Sequence, residues 1–144
     1  MTPNKVIVHH SLTKDSKTVS WSAIRYYHIY HNGWDNIGYH YGIELVGSNY
    51  EVLVGRPENV QGAHCYGHNL DSLGICFIGN FDLVPPSDPM MERAVEVFAP
   101  IIVRLGIPFS RIYEHHLFDP RKTCPGTAFP FTQFVVALAA GKWK

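Results

Sequence analysis

The sequence predicts a single α/β domain: a central mixed β-sheet of about five strands, mostly parallel, packed by about three helices. Three observations carry this expectation. Short β-branched apolar runs alternate along the chain with longer segments of helical periodicity. One pair of runs, around Gly47-Ser48-Asn49, carries a hairpin turn. Residues 1–144 contain no internal repeat, low-complexity stretch or linker, and they suffice for one hydrophobic core.

Taken in order, Lys5-Val6-Ile7-Val8-His9 is continuous, apolar and β-branched, the pattern of a short buried strand. Residues 11–19 are polar and read as a loop. Ser20 is an N-cap for a helix over Trp21 to His31, with Gly33 as its stop. Its apolar face would draw on Trp21, Ile24, Tyr27, Ile29 and Tyr30. Gly38 to Val46 reads as a strand that turns at Gly47-Ser48-Asn49 and returns over Tyr50 to Val54. Residues 55–71 hold Gly, Pro, Asn and His with little periodicity, and a loop this long in a compact domain is usually functional. Leu73 to Ile78 is a further apolar strand. After Pro85-Pro86, Ser87 or Asp88 caps a helix that starts near Pro89 and ends at Gly106. Pro100 falls inside it and should kink or split it. Arg111 to Glu114 is a last short strand, residues 117–130 are a loop, and Phe131 to Ala140 is a final helix.

Composition removes several function classes. With 46% hydrophobic and 17% charged residues the chain is globular rather than disordered. Twelve basic and twelve acidic side chains cancel, which gives no electrostatic footprint for nucleic acid. No apolar run reaches the 18 residues a membrane-spanning helix needs, so no membrane insertion is expected. The stretch from Met1 to His9 does not read as a signal peptide, and the expected location is the cytoplasm of the cell that makes the chain. Cys65, Cys76 and Cys124 include no CxxC pair and predict no disulfide framework. Nine histidines in so short a chain invite a search for a site.

Three places look chemical. Val8-His9-His10-Ser11 closes the first strand, Glu114-His115-His116 closes the last, and Lys122-Thr123-Cys124-Pro125-Gly126 follows in a loop. Parallel strands end on one side of a sheet, where α/β sites form, which would bring His9 and His115 together. The intervening loop is long enough to return Cys124 to them. Two histidines and a cysteine are a recognised catalytic zinc set that leaves a fourth position open. Successive strand side chains point to opposite faces, so one histidine of each doublet should reach a shared metal. Neither H-E-x-x-H nor H-x-E with P-C-x-x-C occurs, which argues against other zinc hydrolases.

A resemblance then runs over most of the chain. Ile7-Val8-His9-His10-Ser11, Trp34-Asp35-Asn36-Ile37-Gly38-Tyr39-His40-Tyr41, Val54-Gly55-Arg56, Gly62-Ala63-His64, Asn69-Leu70-Asp71-Ser72-Leu73-Gly74-Ile75-Cys76 and Arg121-Lys122-Thr123-Cys124-Pro125-Gly126 come in order from about residue 5 to 130. This set resembles the zinc-dependent N-acetylmuramoyl-L-alanine amidase family, which includes short phage lysozymes and peptidoglycan recognition proteins. The compact length, and Cys124 rather than an aspartate before Pro125, look most like the phage-lysozyme branch.

The resemblance implies hydrolysis of the amide between N-acetylmuramic acid and L-alanine in peptidoglycan. It implies one zinc ion per chain on His9, His115 and Cys124, with Tyr39 and Lys122 at the two remaining catalytic positions, as donors to the oxyanion. His64, Arg56 and Asn69 fall in substrate-groove segments, and the implied partners are muramyl peptides, bound by a monomer. Cys76 stands where some relatives carry a glutamate, so that acid is absent here. An enzyme of this kind would act on the wall after release, from the host cytoplasm into the periplasm if phage-encoded. A cytoplasmic wall-recycling amidase also fits. A muramyl-peptide binding module is the alternative to an enzyme, disfavoured because Cys124, Tyr39 and Lys122 are all present. His40, beside Tyr39, should be structural, and His28, His31 and His68 ordinary. Trp34 is core or groove wall, and Cys65 and Cys76 inert thiols.

Overall fold

The computed structural model describes residues 1–12 and 20–144; most of the polar stretch expected at 11–19 lies outside them. Strands β1 (Lys5–His10), β2 (Tyr41–Val46), β3 (Asn49–Val54), β4 (Ser72–Phe77) and β5 (Ile112–Glu114) form one sheet in the order β3-β2-β4-β1-β5. The β2–β3 pair is the antiparallel hairpin, and the β2–β4, β4–β1 and β1–β5 pairings are parallel. The mixed, mostly parallel sheet expected from the sequence is therefore present.

Alternation along β1 assigns the two faces. Val6 and Val8, with Ile43 and with Leu73, Ile75 and Phe77 of β4, pack against Met91, Val95, Phe98 and Ile102 of helix α2 (Asp88–Arg104). Phe134 and Leu138 of helix α4 (Phe131–Ala140) complete this core. Burying each such side chain is worth about 1.5–3 kcal/mol, which makes this face the main source of stability. Ile7 and His9 point the other way. On that side Cys76 joins Trp21 and Ile37 in a smaller cluster, with Tyr39 packed on it.

Local chemistry sets the element boundaries. Pairing of Val46 with Asn49 leaves Gly47-Ser48 as a two-residue turn, so the returning strand starts one residue earlier than expected. Gly47 has φ +63°, which such tight hairpin turns require at their first position. The Ser87 hydroxyl accepts from the Met90 N–H and caps α2, while Gly106, at φ +68°, follows its end.

Four expectations need correction. Helix α1 spans Trp21–Tyr26 and continues as a π-helical turn over Tyr27–His31. Of its expected apolar face Trp21 alone is buried; Tyr27 and Tyr30 are 50% and 73% exposed. The wider π turn carries side chains after Tyr26 off the 3.6-residue stripe. Of the kink or split expected at Pro100, the split does not occur: α2 runs unbroken past it. Pro100 is exposed, so the carbonyl it leaves unpaired can meet solvent, while buried Phe98, Ala99 and Ile102 pin the helix to the sheet. Gly38 to His40 precede β2 rather than belonging to it. Their backbone bonds instead go to Gly74, Gly55, Arg56 and Ala63. A helical turn, α3 (His115–Phe118), begins where a loop was expected and brings the α-helices among the described residues to four. Among the described residues no helix is long and apolar enough to cross a membrane.

Candidate metal centre

Strands β1 and β5 run parallel, so His10 and Glu114 close them on the same side of the sheet. A cleft of about 660 Å³ opens there. On its floor the ligand atoms of His9, His115 and Cys124 lie within 4.8 Å of one another, and all three residues are buried. His9 Nδ1 is 3.7 Å from Cys124 Sγ. Zn–S and Zn–N bonds of roughly 2.3 and 2.05 Å at a tetrahedral angle would set those two atoms about 3.6 Å apart. The donor set, one sulfur and two imidazoles, suits zinc and disfavours the oxygen-seeking calcium and magnesium.

The first histidine doublet resolves by strand alternation. His9 shares the face of Cys76, while His10 turns away and its Nδ1 accepts the Phe81 N–H at 3.1 Å. The second doublet does not sit on a strand at all, contrary to expectation. His115 and His116 open α3, where the helical rotation separates them. His115 enters the site and His116 pairs with the Glu114 carboxylate at 3.0 Å.

Cys124 is held from three directions. The His10 backbone N–H donates to its sulfur at 3.2 Å. The His116 N–H donates to its carbonyl at 2.9 Å. Asp82 accepts from the Thr123 hydroxyl at 2.8 Å and the Thr127 N–H at 2.9 Å, fixing the loop on both sides of the cysteine.

Burial governs the protonation of the set. It holds His9 well below the usual histidine range, and neighbouring His64, His115 and Lys122 push the same way. His115 is lowered to about 4, by burial first and Lys122 second. The Cys124 thiol is pushed up to about 12 by burial, against the His10 N–H and the Lys122 charge. Two neutral imidazoles therefore face a thiol that needs a cation to ionise.

Tyr39 and Lys122 line the same cleft. The Tyr39 ring lies 5.2 Å from that of His9. Burial, then the thiols of Cys76 and Cys124, raise its hydroxyl well above the usual phenol range, so it is a proton donor and not a base. Lys122 is exposed at the mouth.

The three residues expected in the substrate groove separate. His64 and Asn69 line the cleft. His64 Nδ1 is 2.9 Å from His9 Nε2, and burial lowers its pKa to about 3. Asn69 Oδ1 accepts from the N–H groups of His64 and Cys65 at 2.8 and 2.9 Å. Arg56 is not part of the cleft lining; its guanidinium donates to the carbonyls of Ile37, Gln61 and Asn36 and clamps the loop.

Trp34 is a groove wall, with its ring 4.6 Å from that of His28. His40 is buried, its Nε2 bonded to the Val60 carbonyl and its Nδ1 to the Gly74 N–H, a structural role as expected. All three cysteines are free. Tyr66, 99% exposed on the cleft rim, was not singled out from sequence. Its place as an aromatic side chain on the long 55–71 loop is the one signal by which the sequence could have marked it.

The profile of the family described as N-acetylmuramoyl-L-alanine amidase matches residues 1–127. The endolysin of Enterobacteria phage T3 is 38% identical over 127 residues, covering 86% of this chain and 81% of the phage protein. Among solved structures, the N-acetylmuramoyl-L-alanine amidase LysC from Clostridium intestinale superposes with a TM-score of 0.81 at 28% identity, covering 96% of this chain and 86% of LysC. A variant of Drosophila PGRP-LB in complex with tracheal cytotoxin matches with a TM-score of 0.74 at 27% identity, over 90% of this chain and 79% of that one.

Proposed function

The chain belongs to the N-acetylmuramoyl-L-alanine amidase family and is a peptidoglycan amidase; from that premise we propose that it works as a zinc enzyme, with the metal on His9, His115 and Cys124. The observation that supports this reading is the convergence of those three buried donors on one floor, beneath Tyr39 and Lys122. A zinc ion held there supplies Lewis-acid polarisation of the scissile carbonyl and acidifies water.

The chain's own residues do the rest. Tyr39 stays protonated and donates to the oxyanion that forms as the amide carbonyl becomes tetrahedral. Lys122 sets a positive charge at the same mouth, where that negative charge develops. Cleft walls at Trp34 and Tyr66 offer aromatic surface to the muramyl-peptide. Because Cys124, Tyr39 and Lys122 are all in place, cutting is favoured over binding alone. An endolysin-type role, with action on the wall after release, is the setting that the phage relative supports.

The test is mass spectrometry of purified peptidoglycan after digestion, with and without a chelator. Free stem peptides beginning at L-alanine, lost on chelation and restored by zinc, are the expected products. Wall material that retains the protein but stays intact would replace the enzyme with a binding module.

A further inference from the structure

Beneath His9 lies a second row of groups that the catalytic reading does not use. His9 Nε2 is 2.9 Å from His64 Nδ1. His64 Nε2 is 3.2 Å from the Ser72 hydroxyl and 3.5 Å from the Ser72 carbonyl. The Ser72 hydroxyl in turn lies 2.5 Å from the His68 carbonyl.

The direction of every bond in this row is determined by its far end. The His68 carbonyl only accepts, so the Ser72 proton points to it. The Ser72 oxygens then both accept, so His64, neutral in its buried place, carries its proton on Nε2 and leaves Nδ1 bare. Two bare ring nitrogens 2.9 Å apart would repel, so His9 donates from Nε2. Its remaining lone pair is on Nδ1, the nitrogen that faces Cys124 Sγ at 3.7 Å.

The placing of His64 is also built. Its ring lies flat on β4, where a Cβ on Gly74 would stand 2.6 Å from it, and one on Gly62 would stand 2.7 Å away. Neither side chain could exist with the ring in this position. Asn69 pins the His64 backbone from the loop side.

We propose that His64, backed by Ser72, is a positioning residue that orders the proton on His9 and presents His9 Nδ1 to the metal. The consequence for zinc rests on the reading above; the proton order does not. A metal-ligating histidine is characteristically held through its other nitrogen, and loss of that partner typically costs about 10–100-fold in metal affinity.

Two measurements test this. In zinc-free protein labelled with ¹⁵N-histidine, long-range ¹H–¹⁵N spectra should show His9 and His64 both as Nε2–H tautomers. An Nδ1–H tautomer at either would overturn the proposal. Chelator competition should then show zinc binding weakened about 10–100-fold in His64→Ala. His64→Asn, whose amide oxygen takes the place of Nδ1, should recover much of that loss. A residue that only touched substrate would leave zinc affinity unmoved, so a folded His64→Ala with wild-type affinity sinks the positioning role. A wild-type chain with both tautomers as stated but no zinc affinity would support the proton order and remove the metal reading alone.

Discussion

Cys124 is buried as a thiol with its pKa pushed up to about 12, whereas His9 and His115 are already neutral above roughly pH 5.5. Zinc binding must therefore displace one proton, from the sulfur, and none from the imidazoles. Zinc affinity should rise about tenfold per pH unit between roughly pH 5.5 and 6.5, above the titration of the buried imidazoles and below that of a zinc-bound water. A chelator-competition series across that range checks it, and a slope of two or three protons would contradict the neutral imidazoles. Tyr39 makes a separate prediction. Its raised hydroxyl pKa makes it a donor, so Tyr39→Phe should keep its zinc and lose about 10²–10³ in kcat. Full activity in that variant would take Tyr39 out of the chemistry. Residue types were readable at this scale; partners were not. His64, Asn69 and Arg56 share one loop-rich stretch, yet one bonds His9, one bonds loop N–H groups and one clamps carbonyls.

At the scale of elements, the turn after β4 and the loop after α3 act as one unit through Asp82. Asp82→Ala removes the acceptor for Thr123 and Thr127 on either side of Cys124, but touches none of the α2 or α4 packing. It should weaken zinc binding while leaving helix content by circular dichroism unchanged. Unaltered zinc affinity would show that the His10 and His116 contacts suffice to hold the loop. The elements most legible in sequence were those with strong periodicity and clear stops. Helix α4 runs Phe131–Ala140 as expected, with Gly141 at φ +76° closing it. Helix α3 was not legible: four residues carry too little periodicity, and its turn is held by contacts such as His116 N–H to the Cys124 carbonyl.

Considered as a whole molecule, the fold buries a cluster of uncharged histidines, and its acid sensitivity follows. His64 and His115 are lowered to about 3 and about 4, and His9 well below its usual range. In each case the unfolded chain, near 6.5, takes up the proton first as pH falls. The stability these groups contribute is complete above pH 6.5 and is lost progressively below it, by about 1.4 kcal/mol per pH unit for each proton taken up. Urea midpoints of the zinc-free protein should fall steadily from pH 6.5 to 5. A flat profile over that interval would mean that the histidines are charged in the folded state.

The sequence by itself determined the class of the fold, the two-face pattern of β1, and the residue types of the proposed metal set, because periodicity and donor chemistry are local properties. Order along the chain even paired His9 with His115, since parallel strands end on one side. Only the tertiary structure decided which of those groups face each other. The β3-β2-β4-β1-β5 order lays β4 beside β1, so that Cys76 sits beside His9 and Gly74 leaves room for the His64 ring. It is that non-local packing that sets His9 against His64, and burial stripping water from the imidazoles that keeps them uncharged near neutral pH.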